Sequence, residues 1–276
     1  MAMALVAGVA LLVIAWLLAQ PLLARRRRAA LGARAFPAQW QAVLDRRMPQ
    51  FHRLPADLQA QLRSRIQVFI GEKQFFGCDG LEITDEMRVT IAGQACLLTL
   101  NRRADGFPNL REVLVYPGAF VVDRIRAEPS GVLQEQRQVL SGESWSRGQV
   151  VLSWQDVLEG AAIDDDGRNV VIHEFAHQLD QEKGYANGAP HGATRGREGR
   201  WAQVLAHEFA RVQHEAAWQL PSLFSYYGAT APAEFFAVAT EVFFEQGARM
   251  AAEHPELYAQ LRELYRVDPR LWASAP

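Results

Sequence analysis

Met1 to Ala24 contain no charged side chain, and Leu5 to Leu18 are apolar throughout. Few structures accept such a run. In hydrocarbon, a helix satisfies every backbone N–H and C=O within its own segment, and about 20 helical residues cross the hydrocarbon layer. Arg25-Arg26-Arg27-Arg28 follow directly. A cleaved secretory signal carries its positive charge ahead of the apolar run; here the charge stands behind it. Cationic residues flanking a span stay on the cytoplasmic side. The expectation is therefore a single-pass anchor over residues 1–24 in a bacterial-type inner membrane. A basic juxtamembrane linker over 25–35 and a cytoplasmic domain over 36–276 follow. A cleaved signal is the competing reading. Four arginines also suit anionic headgroups.

The net charge of -2 gives no reason to expect a nucleic-acid partner, because phosphate-backbone binding rests on an excess of cations. With 276 residues the chain can bury a full core without covalent staples. Cys78 and Cys96 fit neither a zinc ribbon nor a Cys-x-x-Cys redox pair, and read as buried free thiols rather than a disulfide.

Beyond the apolar run the pattern is mostly helical. Pro37 and Pro55 sit at helix starts, and Leu58, Leu62, Ile66 and Phe69 form a stripe at helical spacing within 37–74. A further helix is expected over 85–100, capped by Thr84 or Asp85, and others over 201–219, 232–248 and 254–266. Glu112 to Tyr116, ended by Pro117-Gly118, reads as a strand, and Phe120 to Val122 extend or follow it. A second strand, Gln149 to Trp154, comes after the turn-like Ser146-Arg147-Gly148. Gly184, Gly188, Gly192, Gly196 and Gly199 mark a loop, with Pro190 inside it.

Residues 173–177 read His-Glu-Phe-Ala-His. On a helix, residues at this spacing share a face one turn apart, so His173 and His177 can grip one metal ion. Glu174 then points near the ion without competing for it, a position that suits a general base. Asp164 to Asp166 supply a cap and favourable charge at the helix start. The bland alternative is a pair of core histidines. Two near copies fail the pattern. His207-Glu208-Phe209-Ala210-Arg211 has Arg211 where the second histidine belongs and is expected on a helix surface, and His214-Glu215 has Trp218 there. Asp164 to Asp166, Arg168, Asp180, Glu182 and Lys183 flank the motif, which excludes a site inside a membrane helix.

A catalytic zinc takes three protein ligands and keeps one position open. The segment after Pro232 is nearly all apolar except for Glu234, Thr240 and Glu241. A carboxylate among phenylalanines is costly unless it is paired or bound to a metal. That makes Glu234 the leading third ligand and leaves Glu241 as the alternative. Glu241 lies two turns beyond Glu234 and can otherwise orient a ligating histidine. Asp180, just past His177 on the same face, is a second candidate for that role.

His173 to Asp180, Ala233 to Val238, Glu241 to Phe244, Gly80 to Ala92 and Val113 to Pro117 together resemble the Mlc titration factor A (MtfA) peptidases, from Phe36 to about Pro269. Tyr227 to Phe236 is also similar to the catalytic centre of anthrax lethal factor, where a glutamate in a Glu-Phe-Phe-Ala setting binds zinc and an earlier tyrosine assists catalysis. The resemblance implies an α+β, zincin-like (gluzincin) domain, mostly helical with a small sheet. It implies Zn2+ held by His173, His177 and Glu234, with Tyr227 as the assisting tyrosine. The bland reading has Tyr226 and Tyr227 packing on Trp218. The resemblance leans toward an aminopeptidase. The family's best-known members lack an anchor and bind a glucose-responsive repressor, a partner not carried over to this chain.

The expected chemistry is zinc-dependent peptide hydrolysis. Glu174 takes a proton from water and returns it to the leaving amine, while zinc and Tyr227 stabilise the oxyanion. An extended peptide or protein substrate is expected beside an edge strand, read here as Val150, Val151, Leu152 and Ser153. The rival is a regulatory binding protein that sequesters a transcription regulator on the same fold. An intact Glu174 speaks against it, because holding zinc needs no base.

Overall fold

The computed structural model describes residues 1–102, 106–127, 133–140, 142–145, 148–184, 186–190 and 198–272. Ser146, Arg147, Gly192 and Gly196 lie outside the described residues. The apolar N-terminus forms α1 (Ala2–Gly32), whose large apolar side chains as far as Leu23 are exposed. Among the described residues it is the one helix long and apolar enough to cross a membrane.

Residues 25–32, expected within a linker, continue that helix instead. Arginine is a good helix former, and this part of α1 packs antiparallel along α3 (Ala56–Glu72). Arg28 Nε donates to Glu72 Oε1 at 2.8 Å near one end of the seam. Near the other end Gly32 meets Ser64 so closely that a Cβ would lie 2.2 Å from its Oγ. Between them α2 (Ala38–Arg47) and a short 3₁₀ turn (Pro49–Arg53) carry Leu44, Met48 and Phe51 into the core. Helix α4 (Asp85–Leu97) is capped by Thr84, whose Oγ1 accepts from the Met87 N–H at 3.3 Å, and is buried along most of its length.

The strands are short. β1 (Gln74–Gly77), β2 (Glu112–Tyr116) and β6 (Gln149–Ser153) run parallel, and β5 (Gly142–Trp145) joins β6 antiparallel, in the order β1-β2-β6-β5. β3 (Phe120–Ala127) and β4 (Leu133–Leu140) pair separately as an antiparallel ribbon. The expected edge strand is therefore corrected. Val150, Val151, Leu152 and Ser153 lie in β6, between β2 and β5, and all four are buried. A continuous buried run is the mark of a strand covered on both faces. The edge beside the motif belongs to β5.

Helix α5 (Trp154–Ala162) leaves β6 through a Ser153 cap. Then come α6 (Val170–Asp180), α7 (Glu198–Ala217), α8 (Pro232–Glu245), α9 (Gly247–Glu253) and α10 (Pro255–Tyr265). Phe175 of α6 meets Phe107 edge-on with ring centroids 4.8 Å apart, and Phe235, Phe236 and Phe243 bury α8 in the same core. The near copy on α7 is not all surface. Glu208 is buried and accepts from His254 Nδ1 at 2.7 Å. Burial raises the Glu208 pKa, but that bond and the His254 charge hold it below the ordinary carboxylate range. Cys78 and Cys96 are free thiols, and burial pushes Cys96 up to about 12.

Candidate metal centre

Asn169, not the aspartate run, starts α6. Its Oδ1 accepts from the Ile172 N–H at 3.0 Å, the side-chain cap that a helix start leaves room for. Val171, Ile172, Phe175, Ala176 and Leu179 face the core. The opposite pair, His173 and His177, turns toward α8, with ring centroids 4.9 Å apart.

Pro232 occupies the first turn of α8, where its missing N–H costs nothing. Glu234 in that turn reaches back to α6. Its Oε2 lies 3.1 Å from His173 Nε2 and 3.2 Å from His177 Nε2. One donor atom from each of these three residues falls within 4.8 Å of the other two. Burial works against the Glu234 charge, but the two imidazoles hold its carboxyl far below the usual range.

Glu241, two turns further along α8, settles behind His173. Its Oε1 is 2.7 Å from His173 Nδ1, and its Oε2 accepts the Asn169 N–H at 2.6 Å. An Nδ1–H bonded to a carboxylate leaves Nε2 to face the centre, the usual arrangement behind a ligating histidine. Burial lowers the His173 pKa, yet the Glu241 charge and hydrogen bonds to Glu234 and Glu241 raise it well above the usual imidazole value. The cluster thus prefers positive charge at its middle. Two imidazoles and one carboxylate, with Glu241 fixing one tautomer, are a donor set that fits zinc. We expect Glu241→Gln to weaken metal affinity about 10–100-fold with the fold intact. Titration against a buffered chelator measures it, and an unchanged affinity refutes the orienting role.

Glu174 is buried beside the cluster and adds its charge to those acting on His173. Its neighbour was not anticipated. Gly142, the first residue of β5, runs so close that a Cβ there would lie 2.7 Å from both Glu174 Cγ and Oε1. A lone Gly in a polar stretch is a weak signal in a sequence. Tyr227 sits in a 3₁₀ turn (Tyr226–Ala229), half exposed, with its ring centroid 5.8 Å from that of His173. Tyr226 turns away and donates its hydroxyl to the Leu220 carbonyl. Asp180 lies buried at the end of α6. Its Oδ2 accepts from the Asn187 and Gly188 N–H groups at 2.7 and 2.6 Å and so fastens the glycine-rich loop.

The sequence profile of a family described as glucose-regulated metallo-peptidase M90 matches residues 22–266. The chain belongs to this family. An uncharacterized protein of Synechocystis sp. is 41% identical over 244 residues, 88% of this chain and 89% of the relative. Mlc titration factor A of Salmonella agona is 34% identical over 233 residues, covering 83% and 87%. The protein of that name from Salmonella arizonae is 33% identical over 225 residues, covering 80% and 88%. A metallopeptidase family implies a metal and a peptide substrate, and the His173, His177 and Glu234 cluster lies within the matched span.

Proposed function

We propose that this chain is a zinc-dependent metallopeptidase of the gluzincin kind, anchored by α1 with its catalytic domain on the cytoplasmic side. One observation carries the reading: His173 and His177 from α6 meet Glu234 from α8, with Glu174 buried alongside. His173, His177 and Glu234 would hold the zinc, which would supply Lewis acidity toward water and the substrate carbonyl. Glu174 takes the water's proton on its carboxylate and delivers it to the departing amine. The hydroxyl of Tyr227, whose half-exposed ring lies near His173, donates to the carbonyl oxygen as charge grows on it. Among the described residues β5 ends the sheet next to Glu174, and its edge offers backbone groups to an extended substrate. The aminopeptidase preference rests on the resemblance, and a free against a blocked N-terminus on short peptides tests it.

The decisive test is metal content of the full chain, with peptidase activity followed in parallel. We expect about one zinc per chain, activity abolished by a chelator and restored by zinc. Absence of zinc from active protein sinks the reading. The name of the relatives, Mlc titration factor A, favours a second reading, in which the chain acts by binding and titrating a partner protein. Loss of the proton acceptor separates the two.

A further inference from the structure

The near copy of the metal motif on α7 has a use of its own. Glu208 accepts from His254 Nδ1 at 2.7 Å, and the two side chains are only 9% and 1% exposed. A buried carboxylate is costly unless it is paired, so this bond fixes the imidazole of His254 at the junction of α9 and α10. Phe224 packs edge-on against that imidazole, with ring centroids 4.7 Å apart, and edge-on against Phe235, 5.4 Å away. Phe235 follows Glu234 directly on α8. The ring of Phe224 is therefore held between the end of α9 and the helix that supplies the carboxylate of the metal centre.

Residues 216–227, all of them described, lead from the end of α7 to Tyr227, and Phe224 alone among them is buried. Ser225, the next residue, opens the turn that carries Tyr227. Its Oγ accepts from the Tyr227 N–H at 3.4 Å, and its carbonyl accepts from the Gly228 N–H at 2.9 Å. On the far side of the turn, Gln213 Nε2 of α7 donates to the Ala229 carbonyl at 3.3 Å, long for such a bond. We propose that Phe224, clamped between His254 and Phe235, is a positioning residue that sets the Tyr227 ring beside His173, where the two centroids lie 5.8 Å apart. The inference rests on the catalytic role proposed for Tyr227. A reacting group displaced by about 1 Å loses on the order of 10² in rate, and an exposed turn keeps such precision only through the packing beneath it.

The test compares Phe224→Leu, Tyr227→Phe and the double variant in the full chain, by peptide turnover, metal content and backbone hydrogen exchange. Leucine keeps the site apolar and removes the ring. Phe224→Leu should lower kcat about tenfold, with the metal retained and KM changed less than about twofold. Residues 220–230 should exchange about tenfold faster, with α6 and α8 as in the wild type. Added to Tyr227→Phe, the same substitution should cost nothing further, because its effect passes through the tyrosine. If Phe224→Leu does not fold, Phe224→Met, with its adaptable side chain, takes its place. An equal loss on both backgrounds, or unchanged exchange over 220–230, overturns the proposal. Faster exchange throughout α8 overturns it as well, since Phe224 is then a general core residue. A wild type that cleaves no peptide loses the proposed function and this inference together. Turnover that survives Tyr227→Phe removes the tyrosine and its support and leaves the metallopeptidase standing.

Discussion

A chain carrying Glu174→Gln is expected to bind metal as the wild type does and to hydrolyse peptides about 10²–10⁴ times more slowly. Glutamine keeps the size of the side chain under Gly142, where a Cβ would already clash with Glu174. It also leaves the His173, His177 and Glu234 cluster untouched. What it loses is a group that accepts a proton. Parallel metal analysis and peptide turnover give the answer. Normal metal with lost turnover supports the enzyme. Unimpaired turnover removes Glu174 from the chemistry, and retained capture of a regulator with no peptidase activity in either form supports the binding protein.

Glu234→Ala is expected to abolish both metal retention and activity. Two histidines from one helix make a weak site, and the carboxylate is the only donor that α8 contributes to the cluster. Losing one of three ligands should lower affinity by at least the 10–100-fold that a supporting residue is worth. Metal content by mass spectrometry decides it. A fully loaded variant places the third ligand elsewhere. Glu241, the nearest alternative, already engages His173 Nδ1 and the Asn169 N–H, so its recruitment would require α6 and α8 to shift.

Much of the centre was legible because its signals are local. Spacing on one helix placed His173 and His177 on one face, and two turns separated Glu234 from Glu241 on another. A buried carboxylate in an apolar helix demands a partner, and both found one on α6. The sheet was less legible. β1 and β5 have four residues each, too few for a period to emerge. The order of strands depends on contacts between distant segments, so β6 could be recognised as a strand and still be misplaced at the edge. Asn169 outcompeted the aspartates as the cap because Glu241 and Glu245 on α8 receive backbone N–H groups from Gly167 to Asn169. Burial pushes Glu245 up to about 8 there, against the donors around it and with the charges of Glu241 and Asp166 adding to the rise.

The unbroken course of α1 through its arginines onto α3 also governs where the protein can work. A flexible tether lets a domain sweep a volume that grows with its length. A helix of 31 residues, about 46 Å long and zipped onto the domain at its lower end, permits no such sweep. Were its upper end in a bilayer, as proposed, the catalytic cleft would keep a nearly constant altitude above the lipid. Its search would become two-dimensional, and substrates would be chosen as much by how close to the membrane their cleavable segment lies as by their sequence.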